Sequence, residues 1–326
     1  MAKVSLIIPV FNAAPYLHRC LESVLRQSFQ DFQVILVNDG STDNSLSLCE
    51  QYRRQDSRFI VLDKPNGGAA SARNMGLDWF YQNDSAPWLC FLDADDFIHE
   101  RYLESLYSAA LNTNLRISMC SYELTQADTI GPIETDCTPE AVSTESLWCK
   151  HQICCTIPVV KLFARDLFRD IRFPEGIIHE DEFTLYKVMF QCEQIAFLDI
   201  PLYGYYQTEV SVMRGDWTPR HMKGPEGLLA QLRFFRENGY QNAASFTAKM
   251  YLFSVYNNLY LCRATGSQYA EYAASLENQL RTGFRQYRAL SGVTLRREPW
   301  LFYEVHPKLT IPLKLWGKLK KIVKKE

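Results

Sequence analysis

Residues 88–96 read Trp88-Leu89-Cys90-Phe91-Leu92-Asp93-Ala94-Asp95-Asp96, an apolar run that ends in three carboxylates. The run has the length and composition of a buried strand. Acids gathered at a strand end put concentrated negative charge at one edge of a sheet, which is costly unless a cation or hydrogen bonds offset it. The simplest offset is a divalent metal carrying a phosphorylated ligand, because hard cations take oxygen ligands. Taken alone, Asp-x-Asp reads first as a turn or a helix cap, so the surrounding sequence has to decide.

Strand and helix alternate on the N-terminal side of this run. Val4-Ser5-Leu6-Ile7-Ile8-Pro9-Val10 is nearly continuous in apolar residues, as a strand covered on both faces should be. Asn12 is expected to cap the next helix, with Pro15 in its first turn and Leu17, Cys20, Leu21, Val24 and Leu25 as its buried stripe. Residues 32–37 form the second strand, which ends in the loop and cap cluster Asn38-Asp39-Gly40-Ser41-Thr42-Asp43. A second helix turns Leu46, Cys49 and Tyr52 inward. Residues 59–62 form a third strand, and Asn66-Gly67-Gly68 opens a helix bearing Ala69, Ala72, Met75 and Trp79. Residues 88–92 are the fourth strand and 115–120 the fifth. This order predicts an α/β sheet with mostly parallel strands. Ligands collect beyond the carboxyl ends of such strands, where Asn12, Asn38-Asp39 and Asp93 to Asp96 all fall.

Bulk properties remove several classes of function. The 326 residues carry a net charge of −2 with 47% hydrophobic and 22% charged residues, an ordinary globular balance. No basic-aromatic block is present, which argues against nucleic acid as a partner. The ten cysteines form no C-x-x-C pair, which argues against a zinc site and predicts reduced thiols in a cytosolic protein. Cys90 and Cys120 read as small core residues. The N-terminus enters a strand directly, without a signal-peptide design. No run of about 18 apolar residues offers a membrane span.

Four ordered motifs carry a resemblance. Val4 to Asn12 resembles the opening strand of the family-2 glycosyltransferases of GT-A fold. Val37-Asn38-Asp39-Gly40-Ser41-Thr42-Asp43 is similar to that family's second signature. Asn66-Gly67-Gly68 with Ala72-Arg73-Asn74-Met75-Gly76 is similar to the third, and Leu92-Asp93-Ala94-Asp95-Asp96 to its Asp-x-Asp. The resemblance covers roughly residues 3 to 213 and points to the bacterial surface-polysaccharide type. It implies a GT-A-like, Rossmann-related mixed sheet flanked by helices, with a helical C-terminal extension. It also implies roles. Pro9, Val10 and Asn12 would line a nucleotide pocket. Asp39 would accept from the imide N–H of a uracil or thymine ring, as an acceptor-only group can; the alternative is an Asx turn before Gly40. Arg73 would fork onto nucleotide or phosphate oxygens, or else sit on a solvated helix face or in an ion pair. Asp93 would contact the ribose or the metal shell, Asp95 would bind Mn2+ or Mg2+, and Asp96 would cap the following segment. Gly67 and Gly68 would permit close backbone approach.

Transfer with inversion also needs a base on the acceptor hydroxyl. His179-Glu180-Asp181-Glu182-Phe183 resembles the family's Glu-Asp motif. It implies Asp181 as the base and Glu180 as its neighbour or an acceptor-binding group. His179 is kept as a further site residue, while His99, His151 and His221 read as structural. The alternative for the acids is a charge cluster complementing a helix N-terminus. Lys161-Leu162-Phe163 and Arg172 to Gly176 would shape the acceptor side. Tyr203, Tyr205 and Tyr206 would either stack on a sugar or pack in the core.

The expected organisation is a catalytic domain over residues 1–215, with a nucleotide-sugar half at 1–125 and an acceptor half at 126–215. A mobile loop is expected at 125–145, a helical region over 216–307, and a basic tail at 308–326. The tail holds seven Lys and one Glu. On a helix, Leu315, Trp316, Leu319, Ile322 and Val323 share one face and Lys314, Lys318, Lys321 and Lys325 another, as in a helix lying on an anionic inner leaflet. The alternatives are a solvated tail or a docking helix. Deleting residues 312–326 is therefore expected to move the protein from the membrane fraction to the soluble one; unchanged fractionation would refute the membrane contact. The function these features predict is inverting, metal-dependent transfer of a hexosyl or N-acetylhexosaminyl group. It would pass from a UDP-sugar to a glycan or lipid-linked saccharide, at the cytoplasmic face of the cell membrane. The rival functions are a non-catalytic sugar-nucleotide binding module and a nucleotidyltransferase. The latter usually carries a basic, glycine-rich triphosphate loop, which residues 10–15 lack. No G-x-G-x-x-G follows the first strand, as a dinucleotide-binding oxidoreductase would need.

Overall fold

The computed structural model describes residues 2–131, 133, 137–207 and 217–291; the tail at 308–326 lies outside them. The first strand, β1 (Val4–Val10), is followed by α1 (Ala14–Leu25), β2 (Phe32–Asp39), α2 (Ser45–Gln55), β3 (Phe59–Lys64), α3 (Ala69–Asn83) and β4 (Trp88–Phe91). Val4, Leu6, Ile7, Ile8 and Val10 are all fully buried, so both faces of β1 are covered. In α3 the inward residues are Ala70, Ala72, Arg73, Asn74, Gly76, Leu77 and Phe80, and Ala69 is exposed. The apolar spacing was misleading because this helix buries two polar side chains. It also lies unusually close to the sheet: a Cβ on Gly76 would come within 2.5 Å of Ile7 Cγ2.

The chain continues through β5 (Phe97–Ile98), α4 (Tyr102–Thr113), β6 (Ile117–Thr125), β7 (Glu140–Ser143), α5 (Thr144–Lys150), α6 (Gln152–Thr156), β8 (Lys161–Ala164), α7 (Leu185–Met189) and β9 (Gln194–Tyr206). Among the described residues one sheet runs β3-β2-β1-β4-β8-β6-β9-β5, with β7 also on β9. Pairs among β3, β2, β1 and β4 are parallel. β8 pairs antiparallel with both β4 and β6, and β6 is parallel to β9. The sheet is therefore mixed rather than mostly parallel, because a strand from the second half wedges between β4 and the expected fifth strand. The loop expected at 125–145 contains β7, a mostly exposed edge strand of four residues, too short to show an alternating pattern.

β9 closes over the acid segment. Gly204 faces Phe97 in register, and a Cβ there would meet the Phe97 ring at 2.5 Å. Gly204→Ala should therefore cost about 1–3 kcal/mol of stability through overpacking. Urea unfolding measures this, and a wild-type midpoint would contradict the close contact.

Two compact units divide the described chain: 2–207 with Arg233–Ala243, and 217–232 with 244–291. The boundary expected at 216 assigned Arg233–Ala243 to the helical region. Among the described residues three α-helices follow β9: α8 (Lys223–Glu237), α9 (Gln241–Thr265) and α10 (Ala270–Ser291). In the first unit, Phe235 packs on Trp148 and Phe190. In the second, Trp217, Leu252, Leu259, Leu276 and Leu280 form a core, and Trp217 Nε1 donates to Asn258 Oδ1 at 2.8 Å. Among the described residues no helix is long and apolar enough to cross a membrane. All ten cysteines are free.

Candidate active site

Three strands deliver the site: Asn12 follows the end of β1 by two residues, Asp39 closes β2, and Asp93 follows the end of β4 by two residues. Asn12 does not cap α1. It adopts φ +47° and its Oδ1 accepts from the Thr42 amide at 2.8 Å. The first amides of α1 are satisfied from the next loop instead, Ala13 N–H by Ser45 Oγ at 2.9 Å and Ala14 N–H by Asp43 Oδ2 at 3.0 Å. The two loops beyond β1 and β2 are thus laced together. Val10 is fully buried, so it supports the site from beneath and presents no exposed surface to a ligand. Pro9 is partly buried, and Phe11 beside it is 51% exposed.

Asp39 is 1% exposed and its carboxylate is saturated. Oδ1 accepts from Lys64 Nζ at 2.7 Å and the Gly67 amide at 2.9 Å. Oδ2 accepts from the Gly68 amide at 2.7 Å and Asn66 Nδ2 at 3.1 Å. A carboxylate has about four acceptor sites, so the ring imide expected at Asp39 finds none open here. The residue fixes the Asn66-Gly67-Gly68 loop against the end of β2.

The three acids after β4 have separate surroundings. Asp96 is 2% exposed and caps no helix. Its Oδ2 accepts from the Tyr203 hydroxyl at 2.6 Å and its Oδ1 from the Tyr206 amide at 2.8 Å. Burial, then Asp95 and Asp93, hold its pKa well above the ordinary value. Asp95 makes no ion pair among the described residues, and burial followed by Asp93 pushes its pKa up to about 6. Asp93 Oδ1 accepts from Arg73 Nη2 at 2.8 Å.

Arg73 joins the two acid motifs. Its other terminal nitrogen, Nη1, donates to Glu180 Oε1 at 2.7 Å. Burial opposes its charge, but Asp93 and then Glu180 more than offset this, so the guanidinium stays protonated. It lies within an ion-pair bridge, not on a solvated helix face. Asn74 beside it clamps the same segment: Nδ2 donates to the Phe173 carbonyl and Oδ1 accepts from the Phe173 amide, both at 2.8 Å. Asp181 opens a short 3-10 turn, Asp181–Phe183, after His179 at φ +62°. Burial, then Glu180, pushes the Asp181 carboxyl up to about 6.

The sequence profile described as "Glycosyl transferase family 2" matches residues 5–172, just over half of the chain. The chain belongs to glycosyl transferase family 2. It is a glycosyltransferase with the GT-A fold. It is 29% identical over 227 residues to glycosyltransferase GlyG of Streptococcus pneumoniae serotype 4, covering 66% of this chain and 74% of GlyG. The structure of S. aureus TarS 1–349 in complex with UDP-GlcNAc superposes with a TM-score of 0.60 at 19% identity, over 91% of this chain and 92% of that one. The mannosyltransferase PcManGT from Pyrobaculum calidifontis, in complex with GDP-Man and Mn2+, aligns with a TM-score of 0.50 at 14% identity, over 93% of this chain and 85% of that one.

Several residues of this family-2 glycosyltransferase carry the site without having been singled out. Arg19 Nη2 donates to the Asp95 carbonyl at 2.7 Å, and its guanidinium carbon sits 3.6 Å from the Tyr206 ring centroid. Lys64 and Asn74 hold the two flanking loops. Each lies on a helix or strand where sequence alone predicts an ordinary polar residue; only the partner far along the chain gives it meaning. Among the described residues no three His, Cys, Asp or Glu side chains gather as a metal cage. Asp95, with its raised pKa and no cation of its own, still fits a divalent ion that takes its other ligands from phosphate and water.

Proposed function

We propose that this glycosyltransferase moves a sugar from a UDP-sugar to a glycan or lipid-linked saccharide with inversion at the anomeric carbon, in cell-surface polysaccharide synthesis. The observation that carries the reading is the buried Arg73 bridge between Asp93 and Glu180. It ties the acids at the donor end of the sheet to the Glu-Asp pair in one cluster. UDP-GlcNAc bound by TarS supports a UDP donor, and Mn2+ in PcManGT supports a divalent ion.

Asp181 takes the proton of the acceptor hydroxyl. The hydroxyl oxygen attacks the anomeric carbon from the face opposite the diphosphate, and the bond to the β-phosphate oxygen breaks with its electron pair leaving on UDP. Glu180, held by Arg73, keeps negative charge beside Asp181 and so keeps the base near its working pH. Asp95, with Asp93 beside it, would hold Mn2+ or Mg2+, whose charge stabilises the departing diphosphate. Asp39, Asn12 and Pro9 shape the nucleotide end, with Asp39 acting through its loop. The lysine-rich tail supports peripheral contact with an anionic membrane at the cytoplasmic face.

A panel of UDP-sugars assayed for UDP release with and without Mn2+ tests the reading. At least one donor is expected to release UDP only with the divalent ion, and Asp95→Asn to lower that rate about 10²–10³-fold. The product's anomeric configuration reports inversion. UDP binding without release from any donor would favour a non-catalytic module.

A further inference from the structure

The acid segment has an aromatic neighbour that the roles above leave unused. Antiparallel pairing sets Phe97 against Gly204 and Ile98 against Tyr203. One step further along β9 brings Tyr205 to the level of Asp96, whose Oδ1 takes the next amide, that of Tyr206, at 2.8 Å. Side chains two apart on a strand share a face. Tyr203 reaches Asp96 Oδ2 at 2.6 Å and accepts from the Asp93 amide at 3.4 Å, so Tyr205 leaves β9 on the side of the acids. Burial, then Asp93, Asp96 and Asp95, push its hydroxyl up to about 12, as this placement requires.

The two tyrosines differ in access. Tyr203 is fully buried, while Tyr205 is 38% exposed. The Tyr205 ring is braced by Tyr122, with centroids 5.8 Å apart and planes tilted by 49°. Leu124, its register partner on β6, is 57% exposed. A braced aromatic face loses little rotamer freedom on binding. A pyranose presents an apolar C–H face and a rim of hydroxyl donors. An aromatic surface beside carboxylate acceptors matches both at once.

We infer that Tyr205, braced by Tyr122 and with Leu124 next to it in register, is a stacking platform for a pyranose ring beside Asp93 and Asp95. The ring is either the donor's sugar or the acceptor's. This rests on the sugar-transfer reading above.

The test uses the full chain with Mn2+. UDP, UDP-glucose, UDP-galactose and UDP-N-acetylglucosamine are titrated by calorimetry. Methyl β-D-glucopyranoside and methyl N-acetyl-β-D-glucosaminide are titrated into the UDP complex by NMR. Tyr205→Ala should keep UDP affinity within about twofold. If the platform takes the donor ring, the variant loses about three- to tenfold in affinity for a UDP-sugar. If it takes the acceptor ring, the same loss falls on a methyl glycoside. Tyr205→Phe keeps the ring and should match wild type in both arms. Equal losses for UDP and UDP-sugar, or no loss in either arm, overturn the platform. The proposed reaction fails separately: a wild-type protein that releases no UDP from any donor defeats it, while the titrations still decide the platform.

Discussion

Asp181→Asn is expected to lower the turnover of sugar transfer by about 10²–10⁴-fold, the usual contribution of a positioned general base. Asparagine matches the carboxylate in shape but cannot take a proton, so UDP binding should stay near wild type. The pH dependence gives a second readout. With the Asp181 carboxyl raised to about 6, the rate of the wild-type enzyme should climb through that pH to a plateau, and the residual rate of the variant should lack that limb. The sign for stability is opposite. Folding raises this carboxyl's pKa, so the folded state favours its protonated form, and its contribution to stability falls as pH rises from the ordinary value of about 4 to about 6. Normal transfer by Asp181→Asn would move the base elsewhere, with Glu180 the first place to look.

Arg73→Met should cost stability on the order of 3 kcal/mol, the lower end for removing one partner of a buried ion pair. Its side chain is 7% exposed, against 29% for Asp93 and 15% for Glu180, so Asp93 keeps some water and the higher end is not reached. Methionine fills similar volume, which makes the unpaired acids the main loss. Glu180→Gln removes one of those orphaned charges. The double variant should therefore be more stable than the sum of the two single losses predicts. Urea midpoints for the four proteins measure this coupling. Strict additivity would mean that the bridge contributes nothing as a unit. Arg73→Lys should also lose transfer, because one ammonium cannot replace a planar fork reaching Asp93 and Glu180 from separate nitrogens.

The parts of the fold legible in the sequence are those where burial is complete. β1, β2 and β4 read as apolar runs because both of their faces are covered. β8 did not, because it opens with Lys161. That side chain is fully buried, its ammonium accepted by the carbonyls of Ile157 at 2.6 Å, Val159 at 3.2 Å and Cys154. A lysine signals surface until its acceptors are known. Burial lowers its pKa to about 8. The candidate acids were legible from motif order, but their division of labour was not. Asp39 and Asp96 carry carboxylates like those of Asp95, yet both are consumed by hydrogen bonds from residues distant in the chain. Arg73 looked like a phosphate ligand because its acid partners lie 20 and 107 positions away.

The antiparallel insertion of β8 also bears on how the chain is made. When the ribosome has released only the first 125 residues, β4 presents an unpaired edge next to the acids, because its neighbour ends at Ala164. Exposed edges of this kind recruit other strands. The nascent N-terminal half therefore has reason to stay loosely folded, or sheltered by a chaperone, until residue 164 emerges. An excised fragment of that half should aggregate where the complete first unit stays soluble.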